Sequence, residues 1–201
     1  NDFIKEFHVK IRAVQGHIQP SMLGVTSCHE HLLWSVPEPY ADEDPDLGFD
    51  SIPAAVAELR YFKSASGSAM VEMTTKEIGR APADLQQISA ASNIHIIATS
   101  GHHKHKFSAE AIKGRSIDQI TAAIIEDIEV GMDGSSVRAG VIKAATSLAS
   151  ASASEQNVIQ AVANAHLHSG APVSTHTEAG TFAVEQADAL LHPQDSRQGR
   201  S

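Results

Sequence analysis

Residues 24–34 read Gly-Val-Thr-Ser-Cys-His-Glu-His-Leu-Leu-Trp, GVTSCHEHLLW. A short hydrophobic run meets a loop there, and two histidines, His29 and His31, stand one residue apart. In an extended strand successive side chains face opposite ways, so His29 and His31 share a face and Glu30 turns from both. Two ring nitrogens on one face can grip a single metal ion; the plainer reading is a pair of half-exposed histidines at a strand end. What the stretch lacks decides the fold. A doubly wound open sheet calls for a Gly-rich phosphate turn after its first strand, and CHEHLL is no such turn.

Outward from that stretch, β-like runs alternate with amphipathic helical ones. Strands are expected at residues 23–28, 69–74, 94–99, 139–144 and 172–175. Between them fall helices over 51–64, from Pro82 through Leu85 and Ile88, from Ile117 to Ile128, and over 155–169, with a last one over 181–191. Ser51 and Ser116 are candidate N-caps, and Gly170 a stop. Such alternation implies parallel strands covered by helices. His29, Thr74, Lys143 and His176 cluster where strands end, at the rim that carries the active site of a (β/α)8 barrel. The expected fold is therefore α/β, a (β/α)8 TIM barrel, incomplete here, with about the first five βα units.

Composition narrows the function. The 201 residues suit a single domain spanning 1–201, and 42% hydrophobic content suits a packed core. A formal charge of -9 argues against nucleic-acid binding and gives no attraction to anionic membranes. One cysteine, Cys28, forms no internal disulfide and suits a reducing, cytoplasmic compartment. It reads as a small packed residue.

Two further segments carry chemistry. AGVIKAATS places Lys143 at the end of an apolar strand, where burial would favour the neutral amine. Its stem could instead snorkel to solvent or its amine pair with an acid. A neutral amine could also add carbon dioxide and become a carbamate, whose two oxygens can bridge two metal ions. PVSTHTEAG places His176 at the end of the fifth strand, with Glu178 on the same face if the extension continues. Imidazole and carboxylate-like oxygen suit zinc and other divalent metals.

CHEHL, VEMTTKEIGR, RAGVIKAATS and PVSTHTEAGT, in this order and spacing, resemble the phosphotriesterase family of the amidohydrolase superfamily, over residues 16–191. The resemblance implies a binuclear metal hydrolase with two divalent ions, zinc first among them. It makes His29 and His31 ligands of the more buried metal, and His176 a ligand of the more exposed one. It makes Lys143 a catalytic, carboxylated residue bridging the pair, with carbon dioxide as the carbamate source. A hydroxide held between the metals would attack a small ester, lactone or phosphotriester.

The family completes its site with a histidine after strand six and an aspartate after strand eight, and neither has a candidate here. Residues 192–201, HPQDSRQGRS, read as a divergent tail, so truncation of a longer hydrolase is expected and the chain by itself would be inactive. The rival readings are a non-catalytic binding protein on the same scaffold and a non-functional fragment. The expected partners are a small-molecule ester and a second copy in a homodimer. No organic cofactor site is read, and no residue is assigned to substrate binding.

Other features carry less. SGHHKHKFS, with His102, His103 and His105, is expected to be a solvated, mobile loop, although it could touch substrate or stray metal. Lactone-hydrolysing relatives carry a tyrosine in this loop, and none is present here. Glu72 and Arg80 match family positions near the pocket, and an internal ion pair explains them equally well. His166 and His168 read as structural at a helix end. The acidic run ADEDPD reads as a solvated loop and lacks the spaced ligands of a calcium site.

Overall fold

The computed structural model describes residues 10–38, 40 and 48–193. The run ADEDPD and most of the divergent tail lie outside those residues. An antiparallel hairpin comes first, β1 (Ile11–Ala13) and β2 (Gly16–Ile18). Five strands follow: β3 (Val25–Glu30), β4 (Gly67–Glu72), β5 (His95–Gly101), β6 (Val141–Thr146) and β7 (Val173–Thr177). They lie side by side in sequence order, every pair parallel. Between and after them run α1 (Ile52–Ser64), α2 (Pro82–Ser92), α3 (His105–Ile112), α4 (Ile117–Glu129), α5 (Ala153–Ser169) and α6 (Ala183–Leu191). This is half of a (β/α)8 barrel, as the alternation of elements implies.

Local chemistry sets the helix boundaries. Ser51 accepts from the Ala54 N–H, and Ser116 with Gln119 and Ser152 with Glu155 form capping boxes that satisfy otherwise orphaned donors. Gly170 ends α5 in the left-handed conformation. The Ser152 box starts α5 two residues earlier than periodicity alone suggests.

Two apolar layers follow from strand alternation. On the helix side Ile96, Ala98, Ile142 and Ala144 join Ile120, Ile124, Ile128, Val158 and Val162 in the larger core. On the opposite face Ala69, Met73, Ile97 and Val141 form a smaller cluster with Ile11, Leu23 and Val71. The hairpin, which periodicity did not reveal, packs against this cluster. Arg12 donates to the carbonyls of Ile128 (2.7 Å) and Ala139 (3.1 Å), and the Val14 N–H reaches the Ile96 carbonyl (2.8 Å). Among the described residues no helix is long and apolar enough to cross a membrane.

The strands run further than expected. Ala145 pairs with His176 and Thr146 with Thr177, so Lys143 sits in mid-strand and His176 inside β7. Extended geometry stops at Thr177, and Glu178 begins a 3-10 turn that carries it off the face of His176. Cys28 is exposed on β3 and not packed, because β3 is an edge strand with one neighbour.

Ile124 is 2% exposed within the layer joining α4 to the sheet. Ile124→Ala should therefore cost about 2–5 kcal/mol, read as a lower urea midpoint at unchanged slope.

Candidate metal centre

Four side chains singled out by their spacing come together at one end of the sheet. Lys143, at 0% exposure, lies on the same face of β6 as Val141. Its Nζ donates to the Met73 carbonyl at the end of β4 (2.9 Å). The rings of His29 and His31 have centroids 5.9 Å apart, and those of His29 and His176 are 6.4 Å apart. Gly101 makes the crowding tolerable: its φ is +91°, and a Cβ there would lie 2.1 Å from the Lys143 carbonyl oxygen.

Burial and crowding hold the imidazoles in neutral forms and lower the pKa of the amine. Burial first, then the nearby Lys143, lowers the His29 imidazole. The same causes, with His29 and His176 added, bring His31 down to about 3. His176 falls to about 4, through burial, Lys143 and Lys104. Burial lowers the Lys143 amine to about 8, against the pull of Glu77 and Glu72. The amine thus neither snorkels to solvent nor makes a close ion pair, and of the readings open for it burial prevails.

His31 is oriented by its neighbours. Its Nδ1 lies 2.8 Å from Thr74 Oγ1, which also contacts Glu72 Oε1 and lies 2.9 Å from the Leu33 carbonyl. Both of those oxygens compete for one hydroxyl proton, so with Glu72 ionised the geometry favours donation from His31 Nδ1–H to Thr74, which leaves the Nε2 lone pair of His31 free. Glu72 is 1% exposed, accepts the backbone N–H groups of Leu32 (3.2 Å) and Thr74 (3.1 Å), and is raised by burial to about 7. Arg80 is engaged elsewhere, bonded to Asp127 (2.7 Å) and Asp133 (2.8 Å), so it is held by ion pairs with two aspartates and not by one with Glu72.

The histidine-rich segment is not a solvated loop. His102 and His103 are 8% and 4% exposed, and α3 begins at His105. The His103 centroid lies 4.8 Å from His176, 5.0 Å from Phe107 and 5.8 Å from Trp34, and Trp34 packs edge-on to His31 at 4.5 Å. Glu77 accepts the His103 backbone N–H (2.6 Å), and Glu155 accepts that of His105 (2.8 Å) together with the Ser147 hydroxyl (2.7 Å). Lys104 meets Glu178 at 2.5 Å. The phenyl ring of Phe107 beside His103 was the available sign that this segment packs inward. His166 and His168 are structural, bonded to the Ala171 carbonyl (2.8 Å) and Glu129 (3.1 Å).

The donor chemistry fits a divalent metal. His176 Nε2 is buried without a hydrogen-bond partner, and His31 offers a free Nε2. With Zn–N near 2.1 Å, two imidazoles on one ion have centroids roughly 5–6 Å apart, a range that holds the His29–His31 pair. Among the described residues no three His, Cys, Asp or Glu side chains could hold an ion by themselves, so any such site needs Lys143 or donors from elsewhere.

Comparison with known proteins follows this architecture. A parallel half-barrel with histidines and a buried lysine at one end defines a class of partial (β/α)8 barrels with a candidate metal centre at the strand ends. The Phosphotriesterase family model matches residues 9–195, and the chain belongs to that family. A lactonase from Listeria monocytogenes superposes with a TM-score of 0.87 at 30% identity, over 93% of this chain and 62% of that one. An N-acetyltaurine hydrolase from Rattus norvegicus is 30% identical over 83% of this chain and 56% of its own length. An uncharacterized protein from Mycoplasma pneumoniae is 33% identical over 90% and 56%. The chain thus spans a little over half the length of these curated relatives.

Two outcomes follow for the metal-free protein. His31 and His176 stay neutral to about 3 and 4, whereas unfolded histidines take up protons near 6.5. The unfolded state then binds more protons, so stability should fall as pH drops from about 6.5 to about 4. Glu72 opposes this between about 7 and 4.5, as one group against the four lowered histidines His29, His31, His103 and His176. Urea midpoints with chelator present measure the net decline, and a flat profile would mean solvated imidazoles. Thr74→Val keeps the volume and should cost about 1–3 kcal/mol by stranding buried partners, with 15N spectra showing mixed His31 tautomers.

Proposed function

We propose that this chain carries the amino-terminal share of the active site of a metal-dependent small-molecule hydrolase. The observation that carries the reading is Lys143, fully buried yet set among three imidazoles kept neutral. A buried primary amine on the inner face of a sheet has little structural use, whereas imidazoles with free lone pairs beside it form a donor set.

In this reading His29, His31 and Lys143 hold one divalent ion, and His176 and Lys143 a second, with zinc the first choice. Bound metals supply Lewis acidity toward the carbonyl or phosphoryl oxygen of the substrate. Thr74 holds the His31 ring in the tautomer that presents Nε2. Lys143, neutral in part near its pKa of about 8, would add carbon dioxide: a C–N bond forms as one C=O π bond opens, a proton leaves nitrogen, and a single negative charge is shared by two oxygens. Trp34, His103 and Phe107 form an aromatic wall that limits water on one side. The substrate class is a small ester, lactone, amide or phosphotriester, a range supported by relatives named lactonase and N-acetyltaurine hydrolase. A cytoplasmic location accords with the single free cysteine.

Metal analysis joined to hydrolysis of a panel of esters, lactones, amides and phosphotriesters, carried out on the full-length protein that carries this chain, tests the reading. Lys143→Met and His31→Ala should each lower bound metal and cut hydrolysis by about 10²-fold or more, the worth of several kcal/mol of Lewis-acid assistance. Native mass spectra should show a carbon dioxide adduct lost on acidification. Bound metal with no hydrolysis of any panel member would instead favour a binding protein, and no bound metal would end the proposal.

A further inference from the structure

We propose that His103 is a hydrogen-bond donor to the substrate, its Nε2–H meeting the leaving oxygen of the scissile ester as that oxygen gains negative charge. The assignment deepens the hydrolase reading and rests on it. Its first support is a tautomer set by backbone geometry. The Lys104 N–H donates to His103 Nδ1 over 2.7 Å. A nitrogen that accepts a hydrogen bond carries no proton, so the ring keeps its hydrogen on Nε2. Among the described residues nothing hydrogen-bonds that Nε2.

Placement is the second support. The ring stands 4.8 Å from His176, on the rim of the site. Edge-on contacts with Trp34 and Phe107 clamp it on two sides, and Glu77 anchors its backbone N–H at 2.6 Å. A donor clamped this way loses little freedom on meeting its acceptor, which is what makes preorganised donors effective where charge develops.

The same tautomer separates His103 from the ligand histidines. His31 donates through Nδ1 and keeps the Nε2 lone pair, whereas His103 accepts through Nδ1 and presents a proton. A protonated nitrogen cannot ligate a cation, so His103 belongs to the substrate and not to the metal. It gives a hydrogen bond and keeps its proton. Water oxygen bonds to the acyl carbon, the bond from that carbon to the leaving oxygen breaks, and the leaving oxygen takes its proton from the water. Help of this kind counts most where the leaving group is a poor one.

The test compares wild type, His103→Phe and His103→Gln in the metal-loaded protein, using alkyl and p-nitrophenyl esters of one acid. His103→Phe should lower kcat/KM for alkyl esters by about 10²-fold, as loss of one oxyanion donor does, and change p-nitrophenyl esters far less. His103→Gln restores an N–H and should recover much of the loss, and both variants should keep the full metal content. In wild type, 15N spectra should show the His103 proton on Nε2. A profile unaltered by leaving group, loss of a metal equivalent, or a proton on Nδ1 would each overturn the assignment. If His103→Phe does not fold, the glutamine variant and the wild-type tautomer decide. All variants are made in the full-length protein: hydrolysis that survives with a flat His103 profile removes the donor alone, whereas no hydrolysis by the full-length wild type removes the hydrolase reading and the donor with it.

Discussion

One buried amine organises this half-barrel. Lys143 stands on the central part of β6 with no solvent exposure, its Nζ held by the Met73 carbonyl. Taking an ammonium out of water is costly; burial brings the amine down to about 8, and Glu77 and Glu72 within electrostatic reach offset part of the cost. The same amine helps depress His29, His31, His103 and His176. The protonation of the whole cluster is thus coupled to a single side chain.

The scaffold brings these groups together through parallel register. Gly101 on β5 pairs with Lys143 on β6, and Ala145 pairs with His176 on β7, so the three strands end on one side. Carboxylates then tie the segments that follow. Glu77 holds the start of the His103 segment, Glu155 joins the β6 loop to α3, and Glu178 joins Lys104 to the Leu148 N–H at 3.0 Å. These loops are as fixed by hydrogen bonds as the strands are by their ladder, which suits a site needing fixed geometry.

Much of this was legible in the chain. Alternating apolar periods announced five strands and every helix except α3, and Ser51, Ser116 and Gly170 cap where their chemistry suggests. His29, His31, Lys143 and His176 could be picked out by spacing and strand position. The segment from His102 to Phe107 was misread because three histidines and two lysines look hydrophilic in a window. Two of those histidines are buried, and Glu77 holds the His103 backbone N–H while Trp34 and Phe107 pack on its ring. The hairpin escaped because three-residue strands carry too little pattern to register. Cys28 was placed inside because its type is usually buried, and an edge strand exposed it.

By itself the sequence determined the order of elements, the parallel class and the residue types available for chemistry, since period and capping act over neighbouring residues. Tertiary structure alone decided which nitrogen of each histidine carries the proton, that Lys143 is neutral in part, and that His103 joins the cluster. Those properties depend on groups 40 to 100 residues apart in the chain meeting in a space that excludes water, as Thr74 meets His31 (43 residues) and Lys143 meets Met73 (70 residues). No local pattern records such encounters, because burial and hydrogen-bond partnership come into being only when the strands align.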